Sequence, residues 1–186
     1  MGVRVPLRAT SSERGSRMPI RWYAVSLQSN REYLAQKYMQ GNGVVHFLPT
    51  YRTMSARKDK SILLNRPLFP GYIFVQLEIP GQQKSVVLKS PGVCGFVSFS
   101  GGPAPVDDDV IDSLRILTGV ASGGVRPHPL VKAGQRVRVA DGPFRNAVGI
   151  LCEADGQGKN LVVEVSFLGR AVAVPIDPEQ VIPILR

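Results

Sequence analysis

Two short segments in different halves of this chain constrain its fold more than anything else in it. Residues 66–77 read Arg-Pro-Leu-Phe-Pro-Gly-Tyr-Ile-Phe-Val-Gln-Leu, an aromatic and proline corner feeding a strand. Tyr72–Leu77 is almost continuously apolar, as expected of a strand at the centre of a sheet. Residues 136–149 read Arg-Val-Arg-Val-Ala-Asp-Gly-Pro-Phe-Arg-Asn-Ala-Val-Gly. That is a strand, a tight turn and a second strand marked by glycine, which is how a small β-barrel begins. Neither segment carries a nucleophile, a metal-ligand cluster or a phosphate loop, so the pair points to a two-module binding protein.

Between these landmarks the hydrophobic pattern places the other elements. Arg21–Leu27 reads as a strand, and Ser29 or Asn30 is positioned to cap a helix with a stripe over Tyr33, Leu34, Lys37, Tyr38 and Met39. Gly41-Asn42-Gly43 ends that helix, Val44–Leu48 is a second strand, and Pro49 stops its ladder. A basic stretch over 50–66 reads as a solvated hairpin or loop. Gln82–Lys89 forms a short helix, Val93–Phe99 a strand, and Pro103-Ala104-Pro105 a loop. Asp107 caps a helix carrying Val110, Ile111, Leu114, Ile116 and Leu117, with acids in the first turn where the macrodipole favours them. Residues 119–129, rich in Gly and Pro, read as a flexible linker. Beyond it come only short β-rich runs at 136–140, 147–154, 161–167 and 171–176, separated by turn residues. The fold class is α+β: a mixed-sheet α/β sandwich over 19–118, then a small antiparallel five-stranded β-barrel over 130–186.

Charge narrows the partners. The formal charge is +9, which favours polyanions such as nucleic acid without naming one. Residues 130–186 carry seven basic against six acidic residues, so the barrel is a poor electrostatic clamp for nucleic acid. The tail at 1–18 holds four Arg against one Glu and reads as a disordered basic extension, with Met18 directly before the first strand. It lacks the apolar core of a secretory signal, which places the protein in the cytoplasm, and no apolar run approaches the length of a membrane span. Cys94 and Cys152 sit in apolar runs and read as small buried hydrophobes. His46 and His128 stand far from either, so no metal or other cofactor is expected. Asp107-Asp108-Asp109 is explained by its place at a helix start. With no convergent acid, base and nucleophile, the protein is not an enzyme.

The matching pieces Arg21-Trp22-Tyr23-Ala24-Val25, Phe69-Pro70-Gly71-Tyr72-Ile73-Phe74-Val75, Pro91-Gly92-Val93-Cys94-Gly95-Phe96-Val97, Pro103-Ala104-Pro105-Val106, Val137-Arg138-Val139 after Gly134, Asp141-Gly142-Pro143-Phe144 and Gly169-Arg170-Ala171 occur in order across both halves. On these the chain resembles the NusG family of transcription elongation factors, an amino-terminal NGN domain followed by a KOW domain. The resemblance implies a monomer whose first domain docks on the clamp helices of RNA polymerase, holds the clamp closed and suppresses pausing or termination. It implies that the KOW domain hangs on its linker and recruits a second factor, Rho or a small-subunit ribosomal protein. The short region between Leu48 and Phe69 is more similar to specialised antitermination paralogs such as RfaH than to the general factor. The competing expectations are a general factor that stimulates Rho-dependent termination and, from another class, a KOW-type ribosomal or RNA-binding protein.

Site residues follow residue by residue from the same resemblance. Phe69 matches an exposed aromatic that fits the clamp helices, with Tyr23, Leu68, Pro70 and Tyr72 around it. Each aromatic of the group has a plain reading as core. Gln83, Lys84 and Ser85 align with a polar patch that touches the opposite pincer of polymerase, and read more readily as ordinary capping and solvated residues opening a helix. Gln28, Arg31, Lys37 and Lys89 lie near segments that meet non-template DNA in specialised relatives, and read at least as readily as a solvated charged face. Arg52, Arg57, Lys58 and Lys60 lie in the basic loop that approaches upstream duplex through phosphates, a contact that positions without specifying sequence. In the barrel, Phe167, Leu168 and Arg170 match the partner-binding turn, and Phe144 is either rim or core. Leu168 stands where the family carries an aromatic, which weakens the case for Rho.

Overall fold

The computed structural model describes residues 19–54, 63–99, 101–120, 124–128, 134–153, 158–165 and 168–184. The first half is built on a sheet whose central strands are β1 (Arg21–Leu27) and β5 (Tyr72–Leu77), paired from Arg21↔Leu77 to Ser26↔Tyr72. β2 (Val45–Phe47) flanks β5, while β6 (Val93–Phe96) and the two-residue β9 (Pro105–Val106) both lie along the other edge of β1. All these pairings are antiparallel. The mixture expected of this layer therefore lies in its helices and strands rather than in strand direction. β3 (Thr50–Met54) and β4 (Leu63–Pro67) make a separate ribbon, and β7 (Ser98–Phe99) with β8 (Gly102–Pro103) a smaller one.

Strand alternation divides the core in two. Tyr23, Val25 and Leu27 share one face with Ile73, Val75 and Leu77, covered by Ala35 and Met39 of α1 (Glu32–Gly41) and Val87 of α2 (Gln82–Leu88). Trp22, Ala24 and Phe74 share the other face, covered by Ile111, Leu114 and Leu117 of α3 (Asp108–Gly119). Arg115 of α3 lays its guanidinium over the Trp22 ring at 4.9 Å and the Phe47 ring at 5.5 Å, closing that layer with cation–π contacts.

Two details of the helices differ from the sequence reading. Arg31, not Ser29 or Asn30, occupies the cap of α1, and it makes no side-chain cap bond. Asn30 takes a positive φ of 61° in the turn before it. The buried stripe of α1 is Glu32, Ala35 and Met39, while Tyr33 and Leu34 face solvent. The apolar residues alone were thus a poor guide to its inward face.

The second half is a six-stranded antiparallel sheet in the order β10-β14-β13-β12-β11-β15. Its strands are β10 (Arg126–His128), β11 (Gln135–Val139), β12 (Val148–Glu153), β13 (Lys159–Val165), β14 (Arg170–Ile176) and β15 (Val181–Pro183). Val137, Val139, Leu161, Val163, Val165, Val172, Val174 and Ile176 face one core with Phe144 and Ala147. Gly149 is required there: a Cβ on it would lie 2.5 Å from the Val162 carbonyl oxygen of the neighbouring strand.

The segment expected as a linker over 119–129 is shorter in the structure. Gly119 is the last residue of α3, and Arg126–His128 pair with Ala171–Ala173 as an extra edge strand. The barrel does not stand apart. β12 and β13 pack on α3, and the apolar cluster on the α3 side of the first sheet continues into barrel residues. At this contact the Ser113 hydroxyl accepts a hydrogen bond from the Val148 N–H at 2.8 Å and donates to the Asp109 carbonyl at 2.6 Å. Arg136 approaches Asp109 at 3.7 Å.

Candidate functional site

The corner before β5 is tied by hydrogen bonds to Pro49, Leu27 and Glu32. Leu68 donates its N–H to the Pro49 carbonyl at 2.9 Å. Phe69 to Tyr72 then form a β-turn closed by the Tyr72 N–H on the Phe69 carbonyl at 3.0 Å. Pro70 stands exposed at the second position and Gly71, with φ +83°, at the third. Proline followed by a positive-φ glycine is the arrangement of a type II turn. The Gly71 carbonyl accepts from the Leu27 N–H at 2.8 Å, and the Gly71 N–H donates to the Glu32 carboxylate at 2.8 Å.

The aromatics of this corner are not where the sequence reading expected them. Phe69 has 0% exposure, with its ring edge-on to Phe74 at 5.7 Å between centroids. Leu68 is buried beside it in the same cluster, and Tyr72 is half-buried against that cluster. Tyr23 lies on the opposite face of the sheet, edge-on to Phe96 at 6.1 Å. Adjacent strand residues point to opposite faces, so it is Trp22, not Tyr23, that shares a cluster with Phe69. Trp22 was missed, although the alternation of β1 carried the signal.

The polar candidates form two groups. Gln83, Lys84 and Ser85 occupy the first turns of α2, with Gln83 and Ser85 exposed and Lys84 half-buried. Gln28, Arg31 and Lys89 gather at the opening of α1: the Gln28 N–H donates to the Gly92 carbonyl at 2.8 Å, the Arg31 stem lies on Gly92, and Lys89 ends α2 three residues before it. Lys37 is exposed further along α1. Arg52 is exposed on β3, across the ribbon from Asn65. Arg57, Lys58 and Lys60 lie outside the described residues, as do the tail 1–18 and Phe167. In the barrel, Phe144 is a core residue at 5% exposure, Leu168 is half-buried against the core, and Arg170 is exposed at the start of β14.

Among the described residues, no group of three His, Cys, Asp or Glu side chains is placed to hold a metal ion. Cys94 is exposed, against the expectation of burial, and Cys152 is half-buried. Burial, reinforced by the negative charge of Glu164 and opposed by Lys159, pushes the Cys152 thiol pKa up. None of the described helices is long and apolar enough to cross a membrane.

With this arrangement in view, likeness to known proteins is decisive. The family model described as transcription termination factor nusG matches residues 20–115. The transcription termination/antitermination protein NusG of Vibrio cholerae is 33% identical over 171 residues, covering 87% of this chain and 94% of that protein. The chain belongs to the NusG family. The Escherichia coli K12 protein of the same description is 32% identical with the same coverage. A solved structure concerned with domain interaction in Thermotoga maritima NusG superposes with a TM-score of 0.50 at 28% identity, covering 90% of this chain and 98% of that one. The likeness to these NusG proteins runs through both halves, so the β-rich second half is the KOW-type partner of the first. The corner Phe69-Pro70-Gly71-Tyr72 and the basic ends of α1 and α2 all fall within the matched NusG segment.

Proposed function

We propose that this protein is a transcription elongation and antitermination factor that acts by binding, with no bond made or broken. Its first half docks on the clamp helices of RNA polymerase, holds the clamp closed and suppresses pausing or termination. The barrel recruits a second factor. A binding protein of this kind works by favouring one polymerase conformation over another, and its effect is limited to its difference in affinity for the two. The observation that carries the reading is a likeness to NusG proteins over 87% of the chain, together with a corner tied to β1 by a backbone bond and to α1 by the Glu32 carboxylate.

In this reading the exposed Pro70 and half-buried Tyr72 present the docking edge, and Phe69 and Leu68 form its floor. Gln83, Lys84 and Ser85 offer polar groups at a helix opening to a second polymerase surface. Gln28, Arg31, Lys37 and Lys89 face non-template DNA, and Arg52 with the ribbon faces upstream duplex. Leu168 and Arg170 offer the barrel's partner surface. There a leucine in place of an aromatic anchor favours a small-subunit ribosomal protein over Rho, because aromatic anchors carry much of the energy of such contacts.

The test is binding of the full chain to purified core polymerase, with isolated clamp helices as competitor, followed by transcription in a purified system. Competition by the helices and increased readthrough are expected. A second reading, the general factor that stimulates Rho, is favoured by the names of the Vibrio and Escherichia relatives, which join termination to antitermination. Strong enhancement of Rho-dependent termination at early sites would make that second reading the better one.

A further inference from the structure

We propose that Glu32 is a positioning residue for polymerase docking: its buried carboxylate holds the Pro70–Gly71 peptide in the orientation that presents Pro70 and Tyr72 as a fixed corner. The proposal rests on the docking reading above. Glu32 is 5% exposed, although it sits at the first position of α1. An acid placed only to complement a helix dipole works at the surface and needs no burial. Burying a carboxylate requires donors for it. Glu32 finds one in the Gly71 N–H at 2.8 Å, 39 residues away in sequence.

The donor is significant because of the turn it belongs to. Type I and type II turns differ by a flip of their central peptide, here the Pro70–Gly71 bond, which reverses the direction of the Gly71 N–H. The φ of +83° at Gly71 is the type II form. The flipped form would aim the N–H away from Glu32 and leave a buried carboxylate without that donor. The Leu27 N–H grips the Gly71 carbonyl from the other side at 2.8 Å. The turn is therefore held by β1 and α1 together, and only the α1 grip depends on a side chain. A corner already held in its bound form loses less freedom on docking, which raises affinity without any new contact.

The experiment uses the full chain carrying Glu32→Gln, Glu32→Ala or Ala35→Gly. Three quantities are measured: affinity for core polymerase, melting temperature and exchange protection of the Gly71 amide. Glu32→Ala is expected to weaken binding about ten-fold at a temperature where it is folded, and to lose protection at Gly71. Glu32→Gln keeps an acceptor oxygen and is expected to stay within about three-fold of the parent. Ala35→Gly loosens the buried side of the same helix without touching the turn, and is expected to lower the melting temperature but leave affinity unchanged. Parent-like binding by Glu32→Ala overturns the proposal. So does an equal loss in Ala35→Gly, because affinity would then follow stability alone. If Glu32→Ala does not fold, Gly71→Ala, which strains the turn itself, takes its place, and parent-like binding by that variant overturns the proposal. Failure of the parent chain to bind polymerase removes the docking reading and this proposal with it, whereas parent binding unaffected by these substitutions removes this proposal alone.

Discussion

Phe69 has no exposed surface, and its ring stands edge-on to Phe74 inside the α3-side core. Its truncation is therefore first a packing defect. Phe69→Ala is expected to cost about 3–5 kcal/mol of stability, read as a fall in the urea midpoint at unchanged slope. Any loss of polymerase affinity in that variant has to be measured where it remains folded. An unchanged midpoint would mean that Phe69 is not the core residue described here. The two cysteines make a second residue-scale contrast. Cys94 is exposed, while burial and Glu164 raise the Cys152 pKa. A raised pKa leaves less thiolate at a given pH, and the thiolate is what reacts. Near pH 8 an alkylating reagent should modify Cys94 first and Cys152 much more slowly, as peptide mass spectrometry would show. Equal rates would contradict the burial of Cys152. Gly149→Ala should destabilise the barrel by about 1–3 kcal/mol, because the added methyl meets the backbone of β13 rather than a side chain that can move. Thermal melting of that variant is the check.

At the scale of elements, α3 is the helix both halves share. It places Ile111, Leu114 and Leu117 on the first sheet and Ser113 toward β12. Replacing Ser113 with Ala leaves the Val148 N–H without its acceptor in a buried contact, at a cost of about 1–3 kcal/mol. The Val148 amide should then lose exchange protection while residues of β1 and β5 keep theirs. Loss spread evenly over both halves would mean that the bond does not hold this particular contact. The Arg136–Asp109 pair beside it is well exposed, and exposed pairs contribute little, so added salt alone should not separate the barrel from α3.

The elements differ in how plainly the sequence announces them. α3 was legible because its apolar residues recur at helical spacing behind acids. β5 was legible because six residues are almost all apolar. The inward face of α1 was not, because a buried glutamate and an alanine hold it while Tyr33 and Leu34 point outward. β10 was invisible, since Arg-Pro-His has no strand pattern of its own and pairs only because β14 offers an edge. The corner at 69–72 was legible as a turn from Pro-Gly alone. Its burial was not, because the same four residues fit an exposed or an inward Phe69, and only the layer beyond them decides.

At the scale of the whole molecule, two β-rich halves are joined through one helix and a short piece of chain. Between the end of α3 at Gly119 and the first barrel strand at Arg126 lie residues 120–125. Six residues span at most about 20 Å when fully extended. The barrel is therefore on a leash shorter than its own half of the protein, and a departure from α3 leaves it at a local concentration on the order of millimolar. A soluble partner present at micromolar levels competes against that return at a disadvantage of roughly a thousand-fold for equal contacts. A factor avoids that disadvantage by binding the barrel on a surface that α3 leaves open, such as the side bearing Arg170, and lessens it by stripping β10 from β14. Stripping β10 would add residues 126–134 to the leash and lengthen it by about 30 Å, turning sheet edge into reach.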